Sequence, residues 1–418
     1  AQAINAQDHP ADLDHSATCG LQLFMLRLPR ALGCRQTCRI TPCRQRSSAF
    51  TQRATLSVQS MVYPEPRQNV PWKDLGFGLT TKETKMVLAT CAYGQRWSKC
   101  RALPYGQLEM EPAATVLNYG QSLFEGLKAI RTLRGRIVLF RPQKNAQRMA
   151  SGAQRLSMPQ VPLDLFMEAV NMAVVENAEW VPPLGEGALY LRPLLFGCGS
   201  DLGVKPSSKY TLVVYVAPVG KYFSGEHGVR MKLCTESMRA APRGIGSVKA
   251  AGNYAQCFNA QRQAKADGFS DVIYMDATGE YIEEAAASNF FCVDHHNVIH
   301  TPQLGSILPG VTRDTVIQFV RELRTEGLRL EVNNLSLKTV LNAAEAFVTG
   351  TAAGLVPVEH ISGAVQSVTY TPNGPWTKRL QQMLADVQQE RRKDKYRWLH
   401  DPFQDANIPI DSFREPAF

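Results

Sequence analysis

The stretch Ser247-Val-Lys-Ala-Ala-Gly-Asn-Tyr254 places one lysine, Lys249, among small residues and close in sequence to a tyrosine. A lysine amine attacks a carbonyl only after it has lost its proton, and apolar surroundings favour the neutral form. This is the chemistry by which a lysine holds pyridoxal phosphate as a Schiff base, and Tyr254 is close enough to hydrogen-bond the phenolate oxygen of that ring. The alternative is an ordinary lysine on a surface loop. The rest of the chain decides between the two.

Length and charge limit the class of protein. The chain has 418 residues, of which 44% are hydrophobic, enough to form the cores of two domains. No stretch approaches the ~18 consecutive apolar residues of a membrane-spanning helix. Seven arginines and three aspartates give residues 1–60 a net charge of +4 out of the total of +9. The body of the chain has no basic run or aromatic-basic repeat, which argues against a nucleic-acid partner.

The first 60 residues have the composition of an organellar leader. No acidic residue lies between Asp14 and Glu65, while arginine, serine and threonine are frequent. This pattern is typical of a transit peptide for a plastid or a mitochondrion, and the sequence leaves both compartments open. Met25 opens the segment Met-Leu-Arg-Leu-Pro-Arg-Ala-Leu, which predicts that translation starts there. A basic tail without a targeting role is the alternative.

The cysteines predict neither a metal site nor a disulfide framework. Four of the ten lie in the leader, and none forms a Cys-x-x-Cys pair. No spacing of cysteine and histidine resembles a zinc site. The other six cysteines are scattered through apolar segments, so we expect reduced thiols in the core.

From about Tyr63 onwards the sequence takes on the character of a globular protein. Short runs rich in β-branched and aromatic residues predict strands, and apolar residues at helical spacing predict helices. The predicted strands are Ala188–Phe196, Tyr210–Ala217, Val229–Thr235 and Asp271–Met275. The predicted helices are Leu163–Val175, Tyr254–Asp267, Thr312–Arg324 and Lys378–Arg397.

The glycine-rich segment Pro218–Gly228 predicts a linker between two halves of the chain. We therefore expect an α+β protein of two domains with a cleft between them. The predicted parts are a leader over 1–60, a smaller domain over 61–218, the linker over 219–228, a larger domain over 229–398 and a tail over 399–418.

Pyridoxal phosphate requires a lysine, an anion site, a carboxylate at its pyridine nitrogen and room for a substrate. Leu308–Asp314 leads into a predicted helix, whose first backbone N–H groups form a ready anion site. An ordinary helix cap is the alternative. The small, hydroxyl-bearing turn Thr349–Gly354 follows an apolar strand and can close over a phosphate or a carboxylate.

Two adjacent glutamates, Glu283 and Glu284, are the candidates for the carboxylate. Neighbours on an extended chain face opposite ways, so one of them can point inward while the other meets solvent. A solvated pair at the end of a strand is the alternative.

Six motifs lie in order between about Pro71 and the C-terminal helix. They are Asn118–Ala129, Leu139–Pro142 with Arg148-Met149, Leu189–Pro193, Val248–Tyr254, Ile307–Arg313 and Gly350–Ala352. Together they resemble the motifs of branched-chain aminotransferases, which are two-domain fold-type IV pyridoxal-phosphate enzymes. The chain is most similar to the plant-type members that carry an organellar leader.

The resemblance implies a role for each matching residue. Lys249 would bond to the cofactor and, once displaced by substrate, move the proton at the substrate's Cα. Tyr254 would hydrogen-bond the phenolate oxygen, and Glu284, which stands five residues before Asn289 as in the family pattern, would face the pyridine nitrogen. The phosphate contacts would come from Arg148, Val311, Thr312 and Thr351.

The same resemblance implies a substrate pocket and a homodimer whose pockets borrow residues across the interface. Arg192 would receive the second carboxylate of glutamate or 2-oxoglutarate. The other implied substrate-binding residues are Tyr119, Phe124, Tyr190, Tyr222, Thr351 and Ala352. Two departures stand out: Ala287 occupies a position that usually bears a hydroxyl near the cofactor, and Ala353 and Val356 replace a redox-sensing Cys-x-x-Cys of some animal members.

The implied activity is transamination between leucine, isoleucine or valine and 2-oxoglutarate, with small amino acids and 2-oxo acids as the partners. Three related activities stay open: a D-amino-acid aminotransferase, an aminodeoxychorismate lyase, and an aminotransferase for methionine-derived 2-oxo acids. A binding protein on a decayed fold is disfavoured, because Arg148, Lys249, Tyr254 and Glu284 are all retained.

Overall fold

A computed structural model describes residues 63–223, 228–363, 366–371 and 374–404. The predicted leader and the predicted start at Met25 therefore lie outside the described residues. In chain order the strands are β1 (Lys85–Ala92), β2 (Arg101–Pro104), β3 (Ser122–Phe124), β4 (Leu127–Arg131), β5 (Ile137–Phe140), β6 (Ala188–Gly197), β7 (Lys209–Val219), β8 (Val229–Cys234), β9 (Asp271–Met275), β10 (Tyr281–Ala285), β11 (Asn289–Val293), β12 (Val298–Pro302), β13 (Arg329–Asn333), β14 (Leu335–Ser336), β15 (Glu345–Gly350), β16 (Gly354–Ser362), β17 (Ser367–Thr369) and β18 (Leu399–His400).

The helices alternate with these strands. They are α1 (Thr115–Tyr119), α2 (Pro142–Arg155), α3 (Leu163–Val175), α4 (Gly252–Ala255), α5 (Phe258–Ala266), α6 (Val311–Glu322), α7 (Leu337–Leu341) and α8 (Pro375–Gln388), with 3-10 turns at Trp72–Asp74, Ala178–Trp180 and Leu323–Glu326. Within the described part of the chain, no helix combines the length and the apolar character needed to cross a membrane.

The first half of the chain builds an eight-stranded antiparallel sheet. Its order is β18-β5-β4-β6-β7-β1-β2, with β3 also paired to β6. The long strands β6 and β7 are almost entirely buried. The helices α2 and α3 cover one face of the sheet with residues such as Met149 and Phe166, and a second apolar cluster with Phe196 and Val213 lies on the other face. The short strand β18 returns from the far end of the chain to pair with β5.

The second half builds a ten-stranded mixed sheet that closes on itself. Its order is β13-β12-β11-β15-β16-β8-β9-β10-β14, and β10 also pairs with β11. The strands β11, β15, β16, β8, β9 and β10 therefore form a ring. The pair that closes this ring is Glu284 opposite Asn289.

Most of the predicted elements are confirmed. The strands β6, β7, β8 and β9 and the helix α3 lie where the patterns placed them. The predicted helix over Tyr254–Asp267 is wrong as a single element, since it divides into α4 and α5 around Gln256–Cys257. The division into domains at 218 and 228 stays a prediction.

The predicted C-terminal helix over Lys378–Arg397 is wrong at both ends. The helix α8 begins at Pro375 because the Glu345 carboxylate accepts hydrogen bonds from the backbone N–H groups of Trp376 and Thr377. It ends at Gln388, and Glu390 adopts a left-handed backbone conformation that stops a helix.

Two contacts join the sheets directly beside the lysine motif. Leu123 of β3 forms an isolated β-bridge with Ala250. The backbone N–H of Phe124 donates to the Lys249 carbonyl at 3.1 Å. These bonds fix Lys249 at the junction of the eight-stranded and ten-stranded sheets.

Candidate active site

Lys249 lies in a buried, mostly aromatic environment. Its Nζ donates to the Tyr254 hydroxyl at 2.8 Å and lies 4.6 Å from the centre of the Phe124 ring. Burial, together with the positive charge of Arg148, lowers the pKa of the Lys249 amine to about 8. The amine is therefore far easier to deprotonate than an exposed lysine.

Glu284 is the inward-pointing acid that the sequence predicted. Its Oε1 accepts from the backbone N–H of Leu308 at 3.0 Å and lies 2.5 Å from Nη1 of Arg239, while its Oε2 accepts from Asn289 Nδ2 at 3.0 Å. Burial raises the pKa of Glu284 to about 7, and Arg239 opposes that shift. The carboxylate is held in one orientation by three separate groups.

Glu283 is not solvated, contrary to the simplest reading of the pair. It is also buried, and its Oε1 accepts a hydrogen bond from the Ser306 hydroxyl. One face of β10 borders the cavity, and the loop that carries Ser306 lies against the other. The alternation of the strand therefore separates the two acids without exposing either.

Arg148 reaches the same cavity from α2 and is held by an acid that the sequence did not single out. Its Nε and Nη2 donate to the two carboxylate oxygens of Glu125 at 2.8 and 2.7 Å, and its Nη1 donates to the Pro309 carbonyl at 2.8 Å. A guanidinium has five N–H groups. The two that these bonds leave are available to an anion.

The start of α6 lies beside Arg148, which donates to the Pro309 carbonyl just before the helix. Gly310 precedes the helix, so the backbone N–H groups of Val311 and Thr312 belong to its first turn, where no intrahelical acceptor exists. A Cβ at Gly310 would overlap the Asn289 amide oxygen. The glycine thus allows the start of the helix to approach the residue that holds Glu284.

Aromatic side chains and one arginine form the remaining wall. Arg192 stacks over Phe124 at 4.5 Å and donates to the Tyr190 hydroxyl at 3.2 Å. Phe77 contacts both Tyr190 and Tyr222 edge-to-face, with ring centres 5.0 and 4.9 Å apart. This wall offers apolar surface with one cation at its edge.

The turn after β15 completes the cavity. Thr351 and Ala352 line it, and the Ala352 carbonyl accepts from Lys128 Nζ at 2.7 Å. Burial lowers the pKa of Lys128 to about 8. Lys128 belongs to β4, so this bond ties the turn to the eight-stranded sheet.

Together these groups enclose a cavity of about 190 Å³. Twelve of the thirteen predicted site residues line it: Phe124, Arg148, Tyr190, Arg192, Tyr222, Lys249, Tyr254, Glu284, Val311, Thr312, Thr351 and Ala352. A larger open groove of about 840 Å³ adjoins it, and the two share Tyr222 and Ala352.

Tyr119 is the predicted residue that the structure does not bring to the cavity of its own chain. It ends α1, is 41% exposed, and donates a hydrogen bond to the Leu202 carbonyl. The left-handed Gly120 that follows it turns the chain before β3 begins. The phenol therefore points to the surface, while Phe124 points inward.

The residues fit pyridoxal phosphate at each point of contact. Arg148 and the start of α6 suit a phosphate, Glu284 suits a pyridine nitrogen, and Tyr254 suits a phenolate oxygen. Lys249 provides an amine that deprotonates readily. Thr349 also lines the cavity, and its buried hydroxyl has no hydrogen-bond partner among the described residues.

Known proteins share both the sequence and the fold. The family model of class IV amino-transferases matches residues 122–361. The chain is 41% identical to branched-chain-amino-acid aminotransferase 6 of Arabidopsis thaliana, over 81% of this chain and 94% of that protein. It is 42% identical to the chloroplastic aminotransferase 5 of the same plant, over 79% of each chain.

Two further comparisons extend this picture. The methionine aminotransferase BCAT4 of Arabidopsis thaliana is 38% identical over 81% of this chain and 95% of that protein. Among solved structures, the branched-chain amino acid aminotransferase of Escherichia coli superposes with a TM-score of 0.64 at 29% identity, covering 77% of this chain and all of that one.

Class IV aminotransferases are fold-type IV enzymes that use pyridoxal phosphate. The sheets, the buried lysine and the sequence similarity all agree with that description. The chain therefore belongs to the class IV amino-transferase family and is a relative of the plant branched-chain-amino-acid aminotransferases.

Proposed function

We propose that this protein transfers an amino group between L-leucine, L-isoleucine or L-valine and 2-oxoglutarate, giving branched-chain 2-oxo acids and L-glutamate. The reaction is reversible and alternates between the two substrates in one cavity. The observation that carries this proposal is the convergence of Lys249, Tyr254, Glu284 and Arg148 on a single buried site. The names of the relatives supply the substrate class.

In this proposal each group has a separate task toward pyridoxal phosphate. Lys249 holds it covalently, Arg148 and the α6 backbone hold its phosphate with Thr351, Glu284 meets its ring nitrogen, and Tyr254 meets its phenolate oxygen. When bound, the cofactor supplies an electron sink that stabilises negative charge at the substrate's Cα. No side chain of the protein can supply that.

Lys249 is also the base that moves the proton at the substrate's Cα. Its amine has a pKa of about 8, so that both the neutral and the charged form exist near neutral pH. The Tyr254 hydroxyl, 2.8 Å away, orients the amine. Burial raises the pKa of Tyr254 to about 12, so its hydroxyl keeps its proton throughout.

The pocket wall suits two different side chains in turn. A branched apolar chain packs against Phe124, Tyr190 and Tyr222. The second carboxylate of glutamate or 2-oxoglutarate pairs with Arg192, which needs no partner acid because it rests on two aromatic rings. An arginine at the edge of an apolar wall serves both substrates without a rearranged cavity.

Transamination of methionine-derived 2-oxo acids is the second candidate, because the BCAT4 relative is named for methionine. An unbranched thioether fits the same apolar wall. Initial rates with 2-oxoglutarate and L-leucine, L-isoleucine, L-valine, L-methionine, D-alanine or 4-amino-4-deoxychorismate separate these activities. The three branched substrates should give the highest kcat/KM, and a clear preference for any other compound would replace this proposal.

We also propose that the protein acts as a homodimer. Leu202 and Val204 are 86% and 88% exposed, and Tyr119 lies beside them. Such an apolar patch on a surface loop is suited to a protein contact. If a second copy covers this patch, Tyr119 can line the partner's cavity, which would reconcile its predicted role with its exposed position.

For the compartment we propose a plastid or a mitochondrion. Relatives carry both names. Residues 25–90 fused to a fluorescent protein should reach one of these organelles in plant cells. Diffuse cytosolic fluorescence would overturn the proposal.

A further inference from the structure

The floor of the cavity contains a row of three polar side chains. Glu284 lies opposite Asn289 in the β10–β11 pair, and Asn289 lies opposite Thr349 in the β11–β15 pair. Residues that face each other in antiparallel strands project to the same side of the sheet. All three residues line the cavity.

Two members of this row already have partners. Asn289 Nδ2 donates to Glu284 Oε2 at 3.0 Å and to the Leu308 carbonyl at 2.9 Å. Glu284 is also held by Leu308 and Arg239. Neither side chain is therefore free to turn toward Thr349 without breaking a bond that holds the carboxylate.

Thr349 is the member of this row whose hydroxyl lacks a hydrogen-bond partner. It is 1% exposed, and its Oγ1 is buried without a hydrogen-bond partner among the residues that the structure describes. A hydroxyl offers one donor and two acceptor positions. Leaving all of them empty in a protein interior is unfavourable, so a molecule in the cavity that supplied a partner would remove this cost.

The neighbouring wall does not satisfy this need. Ala287 lines the same cavity and has no hydrogen-bonding side chain. The turn it belongs to packs against Gly350, where an added Cβ would lie 3.4 Å from both the Ala287 carbonyl oxygen and the Ser288 hydroxyl. Ala287 therefore lies next to Gly350, the residue that follows Thr349, and both Ala287 and Thr349 line the cavity.

We propose that the Thr349 hydroxyl forms a hydrogen bond with bound pyridoxal phosphate and does the work that a hydroxyl at position 287 would otherwise do. This rests on the proposed cofactor. Thr349 is a binding and positioning residue on the same row as the carboxylate that meets the ring nitrogen.

Two variants isolate the hydroxyl. Thr349→Val keeps the size and branching of the side chain but removes the oxygen, and Thr349→Ser keeps the oxygen and removes the methyl group. The dissociation constant of pyridoxal phosphate, measured by equilibrium dialysis against the apo-protein, should rise about tenfold in Thr349→Val, the effect of one lost hydrogen bond. It should change by less than about threefold in Thr349→Ser.

The melting temperature of the apo-protein distinguishes binding from structure. Because Thr349→Val removes a buried hydroxyl without a partner, the apo-protein of this variant should melt at the same temperature as the wild type or higher. A lower melting temperature together with weaker binding would show a structural role and overturn the proposal.

A double variant tests whether a hydroxyl at position 287 can replace the hydroxyl of Thr349. Adding Ala287→Ser to Thr349→Val should recover most of the lost affinity. Affinity that stays low in this double variant would overturn the claim that the two positions share one task. Wild-type affinity in Thr349→Val would overturn the hydrogen bond itself, whereas a wild-type protein that binds no pyridoxal phosphate would overturn the proposed function instead.

Discussion

Lys249 and Glu284 are two buried ionisable groups whose pKa values move toward neutrality from opposite sides. Burial lowers the pKa of the lysine to about 8 and raises that of the glutamate to about 7. Each group can therefore gain or lose a proton near physiological pH, which an exposed lysine or glutamate cannot do. This is the electrostatic signature of a catalytic centre.

The lysine makes cofactor loading depend on pH. Only the neutral amine attacks the aldehyde, and its fraction grows as the pH rises through the lowered pKa. The rate at which the apo-protein takes up pyridoxal phosphate should therefore increase with pH and level off above about 8. Stopped-flow absorbance measures this rate, and one that still climbs steeply at about pH 10, as for an ordinary lysine, would contradict the account.

Substitution of Arg192 should affect the binding of 2-oxoglutarate and L-leucine differently. In Arg192→Gln, the KM for 2-oxoglutarate should rise about 10- to 100-fold, because a charged hydrogen bond contributes about 1.5–3 kcal/mol. The KM for L-leucine should change far less. Steady-state kinetics with each substrate varied in turn measure both constants, and equal changes would show that Arg192 shapes the whole pocket.

The sequence identified the main residues of the site but not the residues that hold them in place. Lys249, Tyr254 and Glu284 were identified because they belong to recognisable motifs. Glu125 stood inside one of those motifs, yet its pairing with Arg148 depends on the approach of α2 to β3. Arg239 lies in a loop without a motif, and only the fold shows that it faces Glu284.

At the level of elements, the site depends on the start of α6 coming close to the ring of strands. Gly310 permits that approach because its missing side chain leaves room for Asn289. The Asn289 amide in turn holds Glu284. A glycine before a helix looks unremarkable in sequence, since its close contact comes from a strand some twenty residues away.

Gly310→Ala tests this contact. The added methyl group displaces Asn289 and so loosens Glu284, which should cost about 1–3 kcal/mol of the free energy of unfolding and weaken cofactor binding. Gly305→Ala is the matched control, because nothing lies within 4 Å of a Cβ added there. Chemical denaturation of both apo-proteins measures the difference, and equal stabilities would refute the packing argument.

Element boundaries were the least predictable part of the fold. Hydrophobic spacing located α3 and the long strands correctly, since their own side chains form the core. It misplaced the ends of α8, whose first turn is set by Glu345 on a distant strand. It also joined α4 to α5, because the residues between them favour a helical conformation locally.

For the whole molecule, two sheets meet at one cavity, and the exposed patch around Leu202 offers a surface for a second copy. Sequence resemblance supplied the fold-type IV class and the expectation of a homodimer, whereas the arrangement of the strands in two sheets came from the structure. The open groove beside the cavity is evident only in the folded chain. Tyr222 and Ala352 line both spaces and mark where they adjoin.

The proposed homodimer can be tested by placing charges on the exposed patch around Leu202. Leu202→Asp combined with Val204→Asp places two charges on the patch and should convert the protein into monomers, because a buried unpaired charge strongly disfavours association. Sedimentation velocity measures the mass. Leu133→Asp alone, at a separate position that is 53% exposed, serves as the control and should leave the mass unchanged. A wild-type monomer, or a dimer that survives both charges, would contradict the assignment.

The central claim is that Lys249, Tyr254 and Glu284 form one centre for transamination of branched-chain amino acids. A single-turnover experiment tests it most directly: protein loaded with pyridoxal phosphate is mixed with L-leucine in the absence of 2-oxoglutarate. The account predicts about one equivalent of 4-methyl-2-oxopentanoate per chain, since the first half of the reaction needs no second substrate. It predicts none from Lys249→Ala. Loaded wild-type protein that forms no oxo acid, or an equal burst from Lys249→Ala, would contradict it.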